Sequence, residues 1–311
     1  MRKTTLGFLF AIGTALLYGF QPAITQLAYA SGAGVNTVIT GKYMTGFLLI
    51  WLFIMLSKKP WRVTRAQFGH MQITGIACIL TINLMALSYL YLPGAICCLV
   101  FFIYVPIVNV IEMITGQVER TAMRIVCIAL TLTGMVVVVY TPAAGSEALN
   151  PVGILIGAGA GIVNTIWMLR MGSPRVKSVG AEAMMGYIFI VPVAVSMIRC
   201  AIEGDALFPA DINQALCVLF LGVCCGFLAP VFFATAIKLT GVSNTAMVDT
   251  FEPIVAYFAG IMIMSDVLSG NAIFGGILTV ISIFLLNLSE RKKRPDRLAD
   301  AQAGKADGNG E

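Results

Sequence analysis

The sequence has little charge and a single histidine. Charged residues occupy 11% of its 311 positions and hydrophobic residues 59%, whereas about a quarter of the residues in a soluble domain are charged. So much apolar surface cannot be buried inside one water-soluble core of this length. The composition excludes a soluble globular protein and indicates that most of the chain faces lipid.

The chain also lacks the residue groups that usually carry catalysis or hold a metal. His70 has no histidine partner, and the eight cysteines lie in apolar runs without a Cys-x-x-Cys spacing. Such thiols are typically small apolar filler, and no metal-ligand or cysteine–histidine cluster accompanies them. We therefore expect neither an enzyme nor a bound metal or cofactor.

Long apolar runs dominate what is present. A membrane-crossing helix needs about 20 mostly apolar residues, and ten runs meet that length, separated by short turns with Gly, Pro, Asn or charge. We predict an all-α integral membrane protein with ten transmembrane helices. They cover residues 6–29, 37–56, 69–91, 94–115, 122–140, 151–170, 181–202, 212–239, 242–264 and 269–288.

The two halves of the chain resemble each other. Residues 104–108 (YVPIV) recur 147 positions later as residues 251–255 (FEPIV), and an offset of 146 aligns Gly13 with Gly159. The offset of 147 also pairs Gly94 with Gly241 and Glu119 with Asp266. A shared offset across each half indicates duplication of one unit. Because each half has five spans, the second enters the membrane in the opposite sense, as in the inverted repeats of secondary transporters.

Basic residues favour a topology with both termini in the cytoplasm. On this topology every Lys and Arg except Lys42 and Arg199 lies on the cytoplasmic side, as expected for cytoplasmic loops. Topology thus explains the net charge of +5 without a nucleic-acid partner. We predict a first unit over residues 1–140, an extracytoplasmic linker over 141–150, a second unit over 151–288 and a disordered polar tail over 289–311.

Short motifs repeat in the same order in both halves. The second half has Leu239-Thr240-Gly241, then Phe251-Glu252-Pro253, then Asp266; the first has Leu92-Pro93-Gly94, then Pro106, then Glu119. With ten spans in two halves, this pattern resembles the EamA type of the drug/metabolite transporter superfamily. The sequence departs from that pattern at Glu119 and Asp266, where the family often has Gly-Glu, and at Lys42, where it often has Arg.

The resemblance implies a bacterial inner-membrane transporter of small metabolites, commonly an exporter of amino acids and related compounds. It does not identify the solute. A homodimer is compatible with the sequence, although the glycines of the sixth span, Gly153, Gly157 and Gly161, are explained more simply by packing within one chain.

Two acids occur deep in the ninth span. Asp249 and Glu252 are three residues apart and so share one helical face, and Glu252 lies roughly 16 Å from the inner end of its span. Each such acid costs about 2.5 to 3.5 kcal/mol on insertion scales, which usually marks a functional site. Pro253 should break the helix beside them, and Pro106 should break the fourth span equivalently.

Other polar residues inside the spans are further candidates for a solute or proton pathway. Lys42 is the one basic residue deep in a span, and it either meets a solute carboxylate, pairs with Glu252, or extends outward to water. We add Tyr18, Gln21, Tyr104, Asn109, Asn164 and Trp167 to the candidate site. Helix packing is the alternative for each of these. The acids Glu112, Glu119, Glu182 and Asp266 lie near membrane edges, where solvated or helix-end roles are expected.

Two questions about mechanism stay open at this point. Repulsion between two nearby buried acids favours a proton on one of them, which would permit proton coupling, but both could instead be ionised against Lys42 or a bound cation. We predict a secondary active transporter that works in the export direction, for amino-acid-like or related zwitterionic metabolites. A passive channel or facilitator, or a lipid scramblase, could use the same ten helices.

Overall fold

The computed structural model describes residues 3–88, 91, 97, 100–139 and 150–264, and also 274–275, 277–278, 280–282 and 284–285. The regular structure within these ranges is entirely helical, which confirms the all-α membrane fold. The helices are α1 (Lys3–Gly19), α2 (Gln21–Ala30), α3 (Val35–Leu56), α4 (Arg65–Ser88), α5 (Tyr104–Ile114), α6 (Ala122–Val139), α7 (Pro151–Met171), α8 (Ala181–Ile188), α9 (Ile190–Glu203), α10 (Ile212–Phe220), α11 (Ala229–Thr240), α12 (Val242–Asp249) and α13 (Glu252–Met264). A π-helical segment, Leu221–Leu228, joins α10 to α11.

Seven stretches within the described residues are long and apolar enough to cross a membrane. They are Lys3–Ala30, Val35–Leu56, Arg65–Met85, Pro151–Met171, Ala181–Glu203, Ile212–Thr240 and Val242–Ile263. Two shorter apolar helices, Tyr104–Ile114 and Ala122–Gly134, lie where the fourth and fifth spans are predicted. The total of ten spans, the inverted repeat and the side of the termini stay predictions.

Several predicted spans are divided into two helices. The ninth breaks between Asp249 and Glu252, and α5 begins only at Tyr104, after a turn at Phe102 and Ile103. In both places a proline lies one or two residues after the start of the second helix. The proline explains the break, because its ring removes a helical hydrogen bond and needs room in the preceding turn. The first span also breaks, at Phe20, where Pro22 occupies the first turn of α2.

The two halves pack against each other along their length. Helix α4 packs along α7, α1 along α11, and α3 along the π-helical segment, so each pair takes one member from each half. The first of these contacts joins the predicted third span to the sixth, and the second joins the first span to the eighth. A two-fold relation between the halves would convert one of these contacts into the other. A large apolar cluster that includes Tyr43, Phe102 and Met184 lies between the halves.

The bundle has two chemically distinct ends. At one, Lys59 forms an ion pair with Glu182, Lys238 donates to the Val179 carbonyl, and Arg170 donates to the His70 carbonyl. We call this the basic end. At the opposite end, Asn36 Nδ2 donates to Glu203 Oε2 at 2.6 Å and to Asp205 Oδ2 at 2.7 Å.

Some predicted features lie outside the described residues. They are Gly94, Asp266, the linker over 141–149, most of the tenth span and the tail over 289–311. The described residues between 274 and 285 are helical, and Ser282 there donates to the Cys127 carbonyl of α6 at 2.7 Å. The part of the tenth span that is described therefore packs against the fifth.

Candidate functional site

The two intramembrane acids flank the break in the ninth span. Asp249 ends α12 and Glu252 begins α13, with Thr250 and Phe251 forming the turn between them. Asp249 is 8% exposed, and its Oδ2 accepts a hydrogen bond from the Tyr104 hydroxyl at 2.8 Å. Its other oxygen, Oδ1, is buried without a hydrogen-bond partner. The first half of the chain thus fixes one oxygen of Asp249 and leaves the other available.

Glu252 has a different environment from that of Asp249. Its side chain is only partly buried, and it experiences repulsion from Asp249 and attraction from Lys42. Among the described residues, no side-chain hydrogen bond holds the Glu252 carboxylate. One acid is therefore anchored, whereas the other has its oxygens free to contact a further group.

Lys42 approaches the acids from α3. Its Nζ donates to Gln21 Oε1 at 2.5 Å and lies 5.8 Å from the Tyr18 ring centre and 5.2 Å from the Tyr43 ring centre. Electron-rich ring faces stabilise an ammonium at such distances. The sequence left open a direct pairing of Lys42 with Glu252. Both side chains belong to the described part of the chain, and no ion pair within 4 Å joins them.

The sequence did not predict three neighbours of Lys42. Tyr43 hydrogen-bonds with Cys78, and the thiols of Cys78 and Cys225 both lie within electrostatic range of the Lys42 ammonium. Nothing in the sequence distinguishes these two cysteines from the other apolar fillers. Tyr43 could have been suspected, because it adjoins Lys42 in an otherwise apolar span.

A close helix contact sets the position of Lys42. A Cβ added to Gly226, in the π-helical segment, would lie 2.5 Å from the Lys42 carbonyl oxygen and 3.2 Å from the Gly46 Cα. Only a residue without a side chain permits backbones to approach so closely. π-Helical turns are rare and occur often at functional sites, and this one places Cys225 beside Lys42.

The remaining predicted residues take other positions. Asn109 does not meet the acids; its Nδ2 donates to the Val105 carbonyl, and its Oδ1 accepts from Arg124. Trp167 stacks on Phe233 with ring centres 5.1 Å apart, and its buried Nε1 has no partner. Asn164 is buried one turn before Trp167. No hydrogen bond of the described residues links Asn164 or Trp167 to Asp249 or Glu252.

A second polar cluster lies nearer the basic end and was not predicted. Glu112 Oε2 accepts from the Ser243 backbone N–H at 2.9 Å. Arg124 donates to Asn109 Oδ1 at 3.1 Å and to Asn244 Oδ1 at 2.8 Å. Glu112 is 4% exposed and Arg124 is 3% exposed. Of the solvated and helix-end roles expected for Glu112, the structure shows the helix-end role, because the carboxylate accepts from the start of α12 and is covered by it.

Comparison with known proteins connects this arrangement to a function. Residues 151–288 match the EamA-like transporter family. The second half of the chain is an EamA-like unit. The resemblance to the EamA type of the drug/metabolite transporter superfamily is thereby confirmed in that half, and it supports a multi-pass membrane protein of the transporter type.

A similarity of fold extends beyond the EamA-like unit. A crystal structure described only as that of a protein aligns with a TM-score of 0.78, covering 94% of this chain and 99% of its own, at 16% identity. At that identity the likeness concerns the fold alone. A search of curated proteins found no match. The solute must therefore be argued from the site of this chain itself.

Proposed function

We propose that the protein is a secondary active exporter of small amino-acid-like zwitterions, working by alternating access of two inverted five-helix repeats. The proposal places the transporter in the inner membrane with both termini in the cytoplasm. It assigns the site to the acids at the ninth-span break and to Lys42, with Tyr18, Gln21 and Tyr104 around them.

The choice of solute rests on one observation. A carboxylate and an ammonium face the same region without forming an ion pair with each other. Glu252 and Lys42 attract each other but form no direct ion pair within the described structure. Buried charges usually pair, because desolvation is costly. A zwitterion placed between them would complete both pairs, with its ammonium on Glu252 and its carboxylate on Lys42.

The anchored acid has a separate role in this proposal. Tyr104 fixes Asp249 Oδ2, so Oδ1 can receive a second donor from the solute ammonium. Two acceptors, one on each side of the break, then converge on an ammonium, which has three donors. The aromatic side chains of the first half, Phe101, Phe102 and Tyr104, contact one another and offer an apolar surface to the solute side chain.

Proton coupling follows from the same charges. Asp249 and Glu252 repel each other, so a proton on one of them relieves the repulsion when no solute ammonium is bound. Solute binding would release that proton. We propose exchange of a proton for a solute ammonium at this pair as the energy-coupling step.

The exchange of labelled solute in proteoliposomes tests the transporter against its alternatives. We expect uptake of a labelled amino-acid mixture to saturate and to accelerate when unlabelled solute is loaded inside. A passive channel would show neither saturation nor acceleration, and a lipid scramblase would move labelled lipid between leaflets instead. Absence of saturable exchange for amino acids, amines and amino-acid derivatives would contradict the proposal.

A further inference from the structure

We propose that Glu112, Arg124 and the start of α12 form a latch that holds the basic end of the bundle closed, and that its release opens the acid site toward that end. The latch residues are Glu112 and Asn109 on α5, Arg124 on α6, and Ser243 and Asn244 on α12. The inference rests on the proposed function for its place in transport.

Helix α5 holds α12 at both of its ends. Tyr104 and Glu112 are eight residues, or about two turns, apart, and so lie on one face of α5. Tyr104 contacts Asp249 at the last residue of α12, and Glu112 contacts Ser243 near its first. Half of the ninth span is therefore fixed to the fourth span by two polar contacts, of which one belongs to the site.

The chemistry of the latch suits contacts that break and re-form. The first backbone N–H groups of a helix have no partner inside the helix, and a carboxylate there is stabilised by the helix dipole. If α12 moves away, water can satisfy Ser243 N–H, Glu112 and Arg124 in their place. Buried charges that exchange protein partners for water cost less to separate than charges left unpaired.

The duplication does not repeat the acceptor of the latch. The duplication pairs Glu112 with Ala259, so the corresponding place on α13 carries a methyl group and no acceptor. Ala259 is itself buried. The basic end therefore has the polar latch, whereas the equivalent position of the other half has apolar packing. This difference biases the protein toward the state that is closed at the basic end.

Two buried valines that the duplication pairs can report the opening. Val108 lies on α5 between Tyr104 and Glu112 and is fully buried, and its counterpart Val255 lies on α13 one turn past Glu252 toward the opposite end. Each is changed to Cys in the full-length protein in nanodiscs. The rate of modification by a charged, water-soluble thiol reagent is then followed at each site by peptide mass spectrometry.

Glu112→Met removes the acceptor while keeping an unbranched side chain of similar length. We expect it to accelerate modification at position 108 about ten-fold or more, with no change at position 255. Glu112→Gln keeps an acceptor oxygen and should restore most of the slow rate. Glu182→Gln, which removes the partly buried ion pair with Lys59, serves as the matched control and should leave both rates unchanged.

Several results would overturn the latch. They are equal rates at position 108 in wild type and Glu112→Met, equal acceleration by Glu112→Met and Glu112→Gln, or parallel acceleration at positions 108 and 255, which would indicate general loosening. If Glu112→Met does not fold, Arg124→Gln is tested with the same reporters and must give the same asymmetry. The reagent needs no solute, so this result is independent of whether the solute assignment is right.

Discussion

Individual side chains determine which acid is fixed and which is free. The hydroxyl of Tyr104 is the one side-chain partner of Asp249 among the described residues, and this contact joins the two halves inside the bundle. Hydrogen bonds to charged groups typically contribute about 1.5 to 3 kcal/mol, more than those between neutral groups. The Tyr104–Asp249 contact should therefore be important for stability as well as for the shape of the site.

Tyr104→Phe removes this hydroxyl and leaves the ring in place. We expect a loss of about 1 to 3 kcal/mol in stability, because Asp249 then has two buried oxygens without a donor. Thermal unfolding in detergent measures the change. Tyr187→Phe is the control, since its hydroxyl bond to the Trp61 carbonyl is exposed, and it should cost less. An equal effect of the two variants would argue that Asp249 does not depend on Tyr104.

Lys42→Met tests whether Lys42 binds the carboxylate end of a zwitterion rather than its ammonium end. We expect exchange of amino acids to lose about ten-fold or more in affinity, equivalent to about 1.4 kcal/mol, because the solute carboxylate loses its partner. A primary amine without a carboxylate should be affected much less. Lys59→Met, at the basic end, should leave both exchanges intact. Similar losses for the amine and the amino acid would show that Lys42 does not bind the carboxylate.

The sequence predicts the unusual residues of this site better than it predicts their partners. Asp249, Glu252 and Lys42 stand out because charge in a span is costly. Gln21, Cys78 and Cys225 reach Lys42 from other helices, and apolar periodicity contains no signal for such contacts. Asn109 shows the opposite failure: it is polar and inside a span, yet its partner is Arg124.

At the scale of elements, broken helices place the charged groups. The breaks near Pro106 and Pro253 can be predicted from the sequence, because proline interrupts a helix. The π-helical segment is harder to predict, because its own residues are uniformly apolar and only Pro230, in the first turn of α11, follows it. It depends on the close approach of α3, at Gly46 and the Lys42 carbonyl.

Gly226→Ala tests this approach. A Cβ at Gly226 would lie 2.5 Å from the Lys42 carbonyl oxygen, so we expect a loss of about 1 to 3 kcal/mol in stability from overpacking. Gly159→Ala is the matched control, because a Cβ there meets nothing within 4 Å, and it should be neutral or slightly stabilising. Comparable melting temperatures for Gly226→Ala and wild type would show that the interface can yield.

At the scale of the whole molecule, composition determines that the chain lies in lipid, and charge bias predicts how it crosses. The sequence does not reveal which helices pack together, since α1 with α11 and α4 with α7 are contacts between distant segments. Nor does it reveal that Glu112, near the basic end, is buried rather than solvated, because burial there depends on how α12 covers α5.

The predicted topology places the two ends of the first half on opposite sides of the membrane. A green fluorescent protein fused after Glu311 should fluoresce, because the C-terminus is predicted to be cytoplasmic. An alkaline phosphatase fused after Asn150 should be active, because five predicted spans precede it. Whole-cell fluorescence and phosphatase activity measure these outcomes. An inactive phosphatase at Asn150 would contradict an odd number of spans in the first half.

The most direct test of the central claim is exchange by Glu252→Gln in proteoliposomes at two pH values, with Glu182→Gln as the control for loss of an acid outside the site. The site described here predicts that saturable, pH-dependent exchange of the wild type is lost in Glu252→Gln and kept in Glu182→Gln. Undiminished exchange in folded Glu252→Gln, with the same pH dependence, would contradict the assignment of the solute site to the break in the ninth span.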